Sequence, residues 1–408
     1  MTGMARNIVV AQSGGPTAVI NSSICGIVME GMRHENIVGI YGAINGILGV
    51  LREELANLRE EEPASIWNLR RTPSAALGSC RYKLQERDFK RVMDVLRIHD
   101  VGYFLYAGGN DSMDTAHRVA ELAAQANYDL KVIGVPKTVD NDLEITDHCP
   151  GYGSVARFNA IAARDSCLDT EAIYTTDTVK IIETMGRDTG WITASAALGR
   201  QDDELGPHLI YLPERPFIVE KFLEDVSSVY KRLERVVVCV CEGLRDENGE
   251  LLKASRKAVD VDKFGHEQLG GVGDLLVNVV SEKLGIKARF DKPGTIQRVS
   301  MQCASSVDLE EAYRVGQVAM RKAIDGETDK MVTLVRAPGP TYKCEVSTVE
   351  LEKVALKTKK VPDAFINDKS NFVSEEFFEY AAPLIGGTLP EYARLRKNLL
   401  QKKLANYL

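Results

Sequence analysis

The stretch Asn7-Ile-Val-Val-Ala-Gln-Ser-Gly-Gly-Pro16 decides the fold class of this chain. Its first six residues are rich in β-branched apolar side chains, which predicts a buried strand over residues 7–12. The two glycines predict a tight turn, and Pro16 suits the first turn of a helix that the pattern extends over about residues 17–33. Strand, turn and helix in this order form the repeating unit of an α/β fold.

The same unit recurs along the first half of the chain. Residues 101–107 predict a second strand, which leads through Gly108-Gly-Asn-Asp-Ser112 into a helix over about residues 113–124. A third predicted strand, residues 131–135, runs into Pro136-Lys-Thr-Val-Asp-Asn-Asp142. In open α/β sheets such turns gather at the carboxyl ends of the strands, where ligands bind. Three polar turns in one half therefore predict one cleft.

The second half repeats the alternation from about residue 151. The patterns predict strands over residues 179–183 and 235–241, and helices over residues 155–169, 190–198, 217–233, 272–284, 307–323 and 391–407. We therefore predict an α/β fold with two doubly wound, mostly parallel-sheet (Rossmann-like) domains, the active site in the cleft between them, and a mainly helical C-terminal extension. The predicted boundaries are residues 1–150 with about 297–345 for one domain, 151–296 for the second, and 346–408 for the extension.

Charge and composition exclude several functional classes. The 51 Lys and Arg residues against 58 Asp and Glu residues leave a net charge of −7, which argues against nucleic acid or a membrane surface as partner. The basic run Lys357-Thr-Lys-Lys360 is accordingly interpreted as a solvated face. No stretch approaches the ~18 apolar residues of a membrane span, and the start carries no apolar signal core. The eight cysteines form no Cys-x-x-Cys pair, so we predict reduced thiols in a cytoplasmic protein.

The segment after the third strand is dense in reactive groups. Within seven residues it offers the cation of Lys137, the hydroxyl of Thr138, and the carboxylates of Asp140 and Asp142. At a spacing of two, Asp140 and Asp142 can share a magnesium ion, or one can act as a general base with the other near the metal. The plainer alternative is an Asx-rich turn with a structural role.

Two glycine turns offer sites for anions. Ser13-Gly14-Gly15 can present backbone N–H groups at a helix start, although a Gly-Gly turn is often only a tight connection. It matches neither Gly-x-Gly-x-x-Gly nor Gly-x-x-x-x-Gly-Lys-[Ser/Thr], which excludes a nicotinamide or P-loop assignment. The second turn, residues 108–112, places an amide, a carboxylate and a hydroxyl at a helix start, either as a helix cap or as a ligand site.

Further polar groups follow strands or glycines in the second half. Taken singly, each is typical of a surface or structural residue. Taken with the three turns, they offer arginines for phosphate and a carboxylate for sugar hydroxyls. They are Met185-Gly186-Arg187, Glu242, Arg289 and Gly294-Thr-Ile-Gln-Arg298.

As an ordered set, these motifs resemble the phosphofructokinase family, and within it the pyrophosphate-dependent members. The resemblance covers about residues 7–320. The family's phosphate-loop arginine is matched by Arg81 in Gly78-Ser-Cys-Arg81, and its Gly-Gly-Asp-x-Ser loop by residues 108–112. Its catalytic loop is matched by residues 136–142, and its sugar-phosphate motifs by the groups named above.

The resemblance implies phosphoryl transfer to the 1-hydroxyl of fructose 6-phosphate, giving fructose 1,6-bisphosphate. Asp140 would accept the proton of that hydroxyl as its oxygen attacks phosphorus, and Asp142 would support the hydroxyl or the metal. Magnesium, with Lys137, Arg81 and Arg187, would neutralise the transferring group. The implied catalytic residues are Asp140, Lys137, Asp142 and Arg187.

The resemblance also implies two binding sites. Pyrophosphate would bind in the domain of residues 1–150 and 297–345, through Gly14, Gly15, Arg81, Gly109, Asp111, Ser112 and Lys137. The sugar phosphate would bind in the domain of residues 151–296 and at its edge, through Thr138, Asp140, Asp142, Met185, Gly186, Arg187, Glu242, Arg289 and Arg298. Asp111 and Asn110 would be the magnesium ligands, and the assembly would be a homodimer or a higher homo-oligomer.

The phosphoryl donor is decided at residue 111. ATP-using relatives have glycine there, so that backbone passes close to the α-phosphate, whereas this chain has Asp111. A carboxylate about 4 Å from a phosphate charge costs roughly 4 kcal/mol at an effective dielectric of 20, or about a thousandfold in affinity. Pyrophosphate has no third phosphoryl group and avoids this repulsion.

Three positions depart from the family pattern, and several alternatives stay open. Asn110 replaces the first carboxylate of the loop, Thr295 replaces a histidine, and Thr178 replaces an arginine that tetrameric relatives supply across a subunit boundary. An ATP-dependent phosphofructokinase and a non-catalytic sugar-phosphate sensor are the alternatives, although a sensor has little need of Asp140. NAD kinase lacks the constellation of residues 136–142. A seven-carbon sugar phosphate such as sedoheptulose 7-phosphate remains an alternative acceptor.

Overall fold

The computed structural model describes residues 6–252, 271–401 and 403. Its larger sheet has the strand order β11-β10-β5-β4-β1-β2-β3, and only β3 and β11, at the two edges, pair antiparallel to their neighbours. The strands are β1 (Arg6–Gln12), β2 (Ile37–Ala43), β3 (Leu55–Asn57), β4 (Val101–Gly108), β5 (Lys131–Pro136), β10 (Lys330–Arg336) and β11 (Cys344–Glu350).

The smaller sheet has the order β7-β8-β6-β9, and all of its pairs are parallel. Its central strand β8 is buried along its whole length, as its valine-rich sequence predicts. The strands are β6 (Val179–Thr184), β7 (Leu209–Tyr211), β8 (Val236–Cys241) and β9 (Ala288–Asp291).

Helices cover both faces of each sheet. The helices are α1 (Ile20–Gly31), α2 (Ile47–Arg52), α3 (Pro63–Asn68), α4 (Glu86–Ile98), α5 (Asn110–Gln125), α6 (Tyr152–Ile173), α7 (Trp191–Ala194), α8 (Val219–Leu233), α9 (Val272–Leu284), α10 (Ile296–Val299), α11 (Ser306–Ile324) and α12 (Glu375–Ala381). None of the described helices combines the length and the apolar character that crossing a membrane requires.

Side chains of one strand alternate between two apolar cores. Val9 and Ala11 of β1 pack with α4 and α5, whereas Ile8 and Val10 pack with α1 and α11 on the opposite face. This alternation follows from the two-residue period of a strand, and it explains why apolar residues follow one another without a break in β1. The predicted α/β class with doubly wound, mostly parallel sheets is confirmed.

Two helix predictions need correction. Residues 190–198 form the single turn α7 and a 3-10 helix over Ser195–Gly199 rather than one α-helix. The helix predicted over residues 391–407 is wrong for 391–401, which are not helical, while 404–407 lie outside the described residues. Leu395, Leu399 and Leu400 are 85–93% exposed, so no apolar surface stabilises a helix there. The described helical part of the extension consists of α12 and short 3-10 helices.

Candidate active site

A cavity of about 330 Å³ opens where the carboxyl ends of the two sheets meet. Loops after β1, β4 and β5 supply one wall, and the loop after β6 supplies another. The structure thus brings together twelve of the predicted residues: Gly14, Gly15, Arg81, Gly109, Asn110, Asp111, Ser112, Lys137, Thr138, Asp140, Asp142 and Arg187.

The turn after β1 is shaped to admit a lysine. Gly14 has a φ of +76°, a left-handed conformation that favours glycine, and a β-carbon there would lie 3.2 Å from Lys137 Nζ. Lys137 Nζ donates a hydrogen bond to the carbonyl oxygen of Gly15 over 2.8 Å, while Ser79 Oγ donates to the carbonyl oxygen of Gly14 over 2.6 Å. The turn therefore holds the only strongly buried cation among the predicted donor-site residues.

The amino end of α5 carries the predicted metal and donor residues. Gly109 is the extended residue before the helix, Asn110 begins it, and Asp111 lies in its first turn. Asn110 Nδ2 donates a hydrogen bond to Asp142 Oδ2 over 3.0 Å. The other side-chain oxygens of this pair, Asn110 Oδ1 and Asp142 Oδ1, are buried without a hydrogen-bond partner.

The two aspartates of the loop after β5 have unusual protonation equilibria. Burial, reinforced by the carboxylates of Asp142 and Glu242, raises the pKa of Asp140 to about 7, although Lys137 and Arg187 oppose the shift. Burial also raises the pKa of Asp142. A carboxyl group that titrates near neutral pH is suited to accept a proton from a hydroxyl.

Burial acts on the cations of the cavity in the opposite direction. It lowers the pKa of Lys137 to about 8, and the neighbouring charge of Arg298 adds to this shift. Burial and the charge of Arg81 lower the pKa of Arg298. Crowded cations with little water around them are a strong attractor for a phosphate group, because a bound anion would relieve their mutual repulsion.

The predicted sugar-phosphate residues Met185, Gly186 and Glu242 directly follow strands β6 and β8 of the smaller sheet. Gly186, after β6, donates its N–H to Glu242 Oε1 at 3.4 Å, and Lys292 Nζ lies 3.7 Å from Glu242 Oε2. Met185 donates its N–H to Gln297 Oε1 at 3.4 Å. Burial raises the pKa of Glu242.

Arg298 lies against the first glycine turn, although the two are far apart in the sequence. A β-carbon on Gly15 would lie 2.9 Å from Arg298 Nη1, so the glycine makes room for the guanidinium. The Nε of Arg298 is buried without a hydrogen-bond partner. This donor is therefore available to an anionic ligand.

Five predicted residues do not line the cavity: Met185, Gly186, Glu242, Arg289 and Arg298. Of these, Arg289 lies at the far end of the smaller sheet from the cavity. It pairs with Lys180 in the ladder between β9 and β6, near the amino end of β6, whereas the cavity lies beyond the carboxyl end. Its Nε lies 2.9 Å from Asp177 Oδ2, and its side chain is 57% exposed. Its assignment to the sugar phosphate stays a prediction.

Five residues that line the cavity were not predicted: Ser13, Asp188, Thr189, Leu356 and Thr358. Ser13 belongs to a turn already singled out, and Asp188 and Thr189 directly follow Arg187, so proximity in sequence is a signal for these three. Leu356 and Thr358 come from the lysine-rich run and its neighbourhood, for which we predicted only a solvated face.

That interpretation is wrong for Lys359. Its Nζ donates hydrogen bonds to the carbonyl oxygens of Thr146 at 3.0 Å and Asp147 at 2.9 Å, and it lies 5.4 Å from the centre of the Trp191 ring. A lysine in a basic run is usually solvated, but here the three carbonyl and ring contacts compensate its loss of water.

The comparisons with known proteins agree with this geometry. Residues 7–322 match the family model described as phosphofructokinase. The chain belongs to the phosphofructokinase family. That match covers the smaller sheet and the larger sheet without β10 and β11, and it includes all of the predicted site residues.

Similar members of the phosphofructokinase family are alike over nearly the full chain. A pyrophosphate–fructose 6-phosphate 1-phosphotransferase of Rhodospirillum rubrum is 43% identical over 97% of this chain and 98% of its own length. An enzyme of the same name from Xanthomonas campestris is 41% identical, with 98% of each chain covered. The crystal structure of a pyrophosphate-dependent phosphofructokinase from Marinobacter aquaeolei superposes with a TM-score of 0.85 at 39% identity, with 98% of each chain covered.

Proposed function

We propose that this protein transfers a phosphoryl group from pyrophosphate to the 1-hydroxyl of fructose 6-phosphate. The products are fructose 1,6-bisphosphate and phosphate, and the reaction is reversible. The observation that carries the proposal is the cavity itself, in which Asp140, with its raised pKa, lies among the cations of Lys137, Arg81 and Arg187. The names of the full-length relatives support the choice of both substrates.

In this reaction Asp140 accepts the proton of the 1-hydroxyl as that oxygen attacks phosphorus in line. Lys137, Arg81 and Arg187 neutralise the charge that develops on the transferring group, so the barrier falls mainly through positioning and electrostatics. Asp142 supports the attacking hydroxyl or the metal.

The remaining assignments rest on the family resemblance. Pyrophosphate binds the wall of residues 1–150 and 297–345, through Gly14, Gly15, Arg81, Gly109, Asp111, Ser112 and Lys137. The sugar phosphate binds on the side of residues 151–296 and its edge, through Thr138, Met185, Gly186, Arg187, Glu242 and Arg298. Arg289 is assigned to it on the family resemblance alone, because it lies outside the cavity. The position of β10 in the larger sheet supports joining the later segment to the first domain.

Asp111 makes pyrophosphate the donor. It lies at the cavity in the first turn of α5, where a carboxylate repels the α-phosphate of a nucleotide. Pyrophosphate has no group at that position. The amino end of α5 still favours the remaining phosphate charge through its N–H groups.

Magnesium fits the residues at the start of α5. Within the described part of the chain no cluster of three or more His, Cys, Asp or Glu side chains could hold a metal alone. Magnesium is usually held by one or two carboxylates together with substrate phosphates, and the partnerless oxygens Asn110 Oδ1 and Asp142 Oδ1 suit such sharing. Asp111 lines the same cavity. The bound ion would supply charge neutralisation at the donor phosphates.

We further propose a cytoplasmic homodimer or higher homo-oligomer. All eight cysteines are free thiols, and six of them are buried, which is consistent with a reducing compartment. The oligomer rests on the family resemblance, and measurement of the mass in solution tests it.

A donor panel tests the proposed reaction. Purified enzyme with fructose 6-phosphate and magnesium is given pyrophosphate, ATP or ADP, and fructose 1,6-bisphosphate is measured, with Asp140→Asn as the inactive control. We expect turnover with pyrophosphate and at least about a hundredfold less with ATP. Brisk turnover with ATP alone would make the protein an ATP-dependent phosphofructokinase, and sugar-phosphate binding without turnover on any donor would make it a sensor.

A further inference from the structure

Residues 354–361, which we call the strap, run beside the cavity and are fastened on both sides of the cleft. Val354 is buried in the core that contains α4 and α5, and Val361 in the core that contains α6. Val361 also donates its N–H to Glu214 Oε1 at 3.0 Å, and the same oxygen accepts the N–H of Gly190 at 2.9 Å. The strap therefore joins the two halves of the molecule.

Lys359 ties the middle of the strap to the catalytic loop, residues 136–142. Its N–H donates to the carbonyl oxygen of Asp142 over 2.8 Å, and its carbonyl oxygen accepts the indole N–H of Trp191 over 3.0 Å. Its Nζ binds the carbonyl oxygens of Thr146 and Asp147, which continue the same loop. One residue thus holds the loop that carries both aspartates against α7.

Between these anchors the strap turns Leu356 and Thr358 to the cavity. Leu356 has a φ of +59°, a left-handed conformation that is unfavourable for leucine, and it is 60% exposed. It belongs to none of the apolar cores formed by the described residues. Packing among the described residues does not explain this position, and residues held in such conformations concentrate at ligand sites.

We propose that three residues of the strap belong to the active site: Leu356 and Thr358 contact the phosphoryl donor, and Lys359 positions the catalytic loop. The identity of the donor rests on the proposed function. The strap follows the 3-10 helix Leu351–Lys353, which packs against α5, and the amino end of α5 carries Asp111. The strap therefore meets the cavity on the donor side.

The positioning role is tested with Lys359→Met, with Lys357→Met in the exposed neighbour as the matched control and Lys359→Arg as the conservative variant. We expect Lys359→Met to lose about a hundredfold in kcat, because a displacement of the loop by about 1 Å has this effect. The KM values of Lys359→Met for both substrates should stay within about threefold of the wild-type values, and Lys359→Arg should keep part of the wild-type kcat. A kcat for Lys359→Met equal to that of Lys357→Met overturns the positioning role.

The contact with the donor is tested with Leu356→Gly, which keeps the backbone conformation and removes the side chain. Because glycine tolerates the left-handed conformation, the thermal midpoint stays equal or rises. We expect the KM for pyrophosphate to rise about tenfold, because loss of the side chain admits water and weakens the attraction between the donor and the cations of the cavity. The KM for fructose 6-phosphate should stay unchanged. An unchanged KM for pyrophosphate overturns the contact.

A matched backbone control is Glu234→Gly, since Glu234 has a φ of +56° at the end of α8, outside the cavity. Glu234→Gly should leave the thermal midpoint equal or raise it, as Leu356→Gly does, and it should not change the KM values for the two substrates. Calorimetric titration of magnesium pyrophosphate into these variants measures the same contact without turnover. If wild type and Leu356→Gly bind magnesium pyrophosphate with equal affinity, the proposed contact is rejected even if the reaction proceeds. If Leu356→Gly binds it more weakly, the contact is supported even if no transfer occurs.

Discussion

Asn110 donates a hydrogen bond from its side-chain amide to a carboxylate oxygen of Asp142, over 3.0 Å. This bond joins the start of α5, after β4, to the end of the catalytic loop, after β5. It leaves one buried acceptor on each partner, Asn110 Oδ1 and Asp142 Oδ1, without a hydrogen bond. Buried acceptors of this kind are costly unless a ligand completes them, and this cost supports the proposed magnesium site.

Replacing Asn110 by aspartate should strengthen the hold on magnesium. Asn110→Asp adds a negative charge beside Asp142, so we expect the magnesium concentration for half-maximal activity to fall about tenfold. In the presence of a chelator the same variant should unfold at a lower temperature than wild type, since the carboxylates then repel each other. Asn110→Ala, which offers no oxygen, should require more magnesium. An unchanged requirement in Asn110→Asp would place the metal elsewhere.

The part of the site near the large sheet could be predicted because its residues are local in sequence. β1, β4 and β5 each lead directly into a polar turn, and parallel neighbours bring these turns to one edge. Gly15, Asn110 and Asp140 therefore had to meet in any sheet with these strands as neighbours. The same locality holds for Arg187, which follows β6.

The opposite side of the cavity depends on packing that no local pattern encodes. Nothing in Lys357-Thr-Lys-Lys360 shows that Lys359 is the one lysine that packs on Trp191. Arg289 has the residue type and neighbourhood of a phosphate ligand, but the register of β9 on β6 places it beside Asp177. A motif indicates which ligand a residue can bind, whereas the register of the strands decides at which end of the sheet that residue lies.

The proposed base is tested by Asp140→Asn. We expect kcat to fall by about four orders of magnitude, because asparagine keeps the shape but cannot accept the proton, while both KM values change little. Asp188→Asn is the matched control, since Asp188 also lines the cavity but is paired with Arg245 at 3.0 Å. The kcat of Asp188→Asn should fall by less than about tenfold. Near-normal activity in Asp140→Asn would contradict the assignment.

The raised pKa of Asp140 predicts an acidic limb in the pH profile. The base must be ionised to act, so kcat/KM for fructose 6-phosphate should rise with pH through a midpoint of about 7, and it should fall again above about 8 as Lys137 loses its proton. Initial rates between about pH 5.5 and 8.5 at saturating magnesium measure it. Magnesium or bound cations shift the midpoint downward, whereas a profile that is flat through this range would show that Asp140 does not titrate as the base.

The same group predicts how stability depends on pH. The folded pKa of Asp140, about 7, lies above the ordinary value, so the folded state holds a proton that the unfolded chain has released. Its contribution to stability is complete at acidic pH and is lost as pH rises through 7. Asp140→Asn should therefore raise the thermal midpoint by about 2–5 °C at pH 8 and by much less at pH 5. A gain that is equal at both pH values would rule out this explanation.

We expect substitution of Asp111 to change the phosphoryl donor. Asp111→Gly removes the carboxylate that repels an α-phosphate, so the ratio of kcat/KM for ATP to that for pyrophosphate should rise by about two to three orders of magnitude. Asp111→Asn separates the effect of charge from that of size. If charge repulsion dominates, the ratio should rise nearly as much as in Asp111→Gly, and if the volume of the side chain dominates, the ratio should rise little. Lys137 stays in place in both variants, because its charge serves either donor. A donor ratio that is unchanged in Asp111→Gly would show that the preference for pyrophosphate arises elsewhere in the cavity, with the strap as the next candidate.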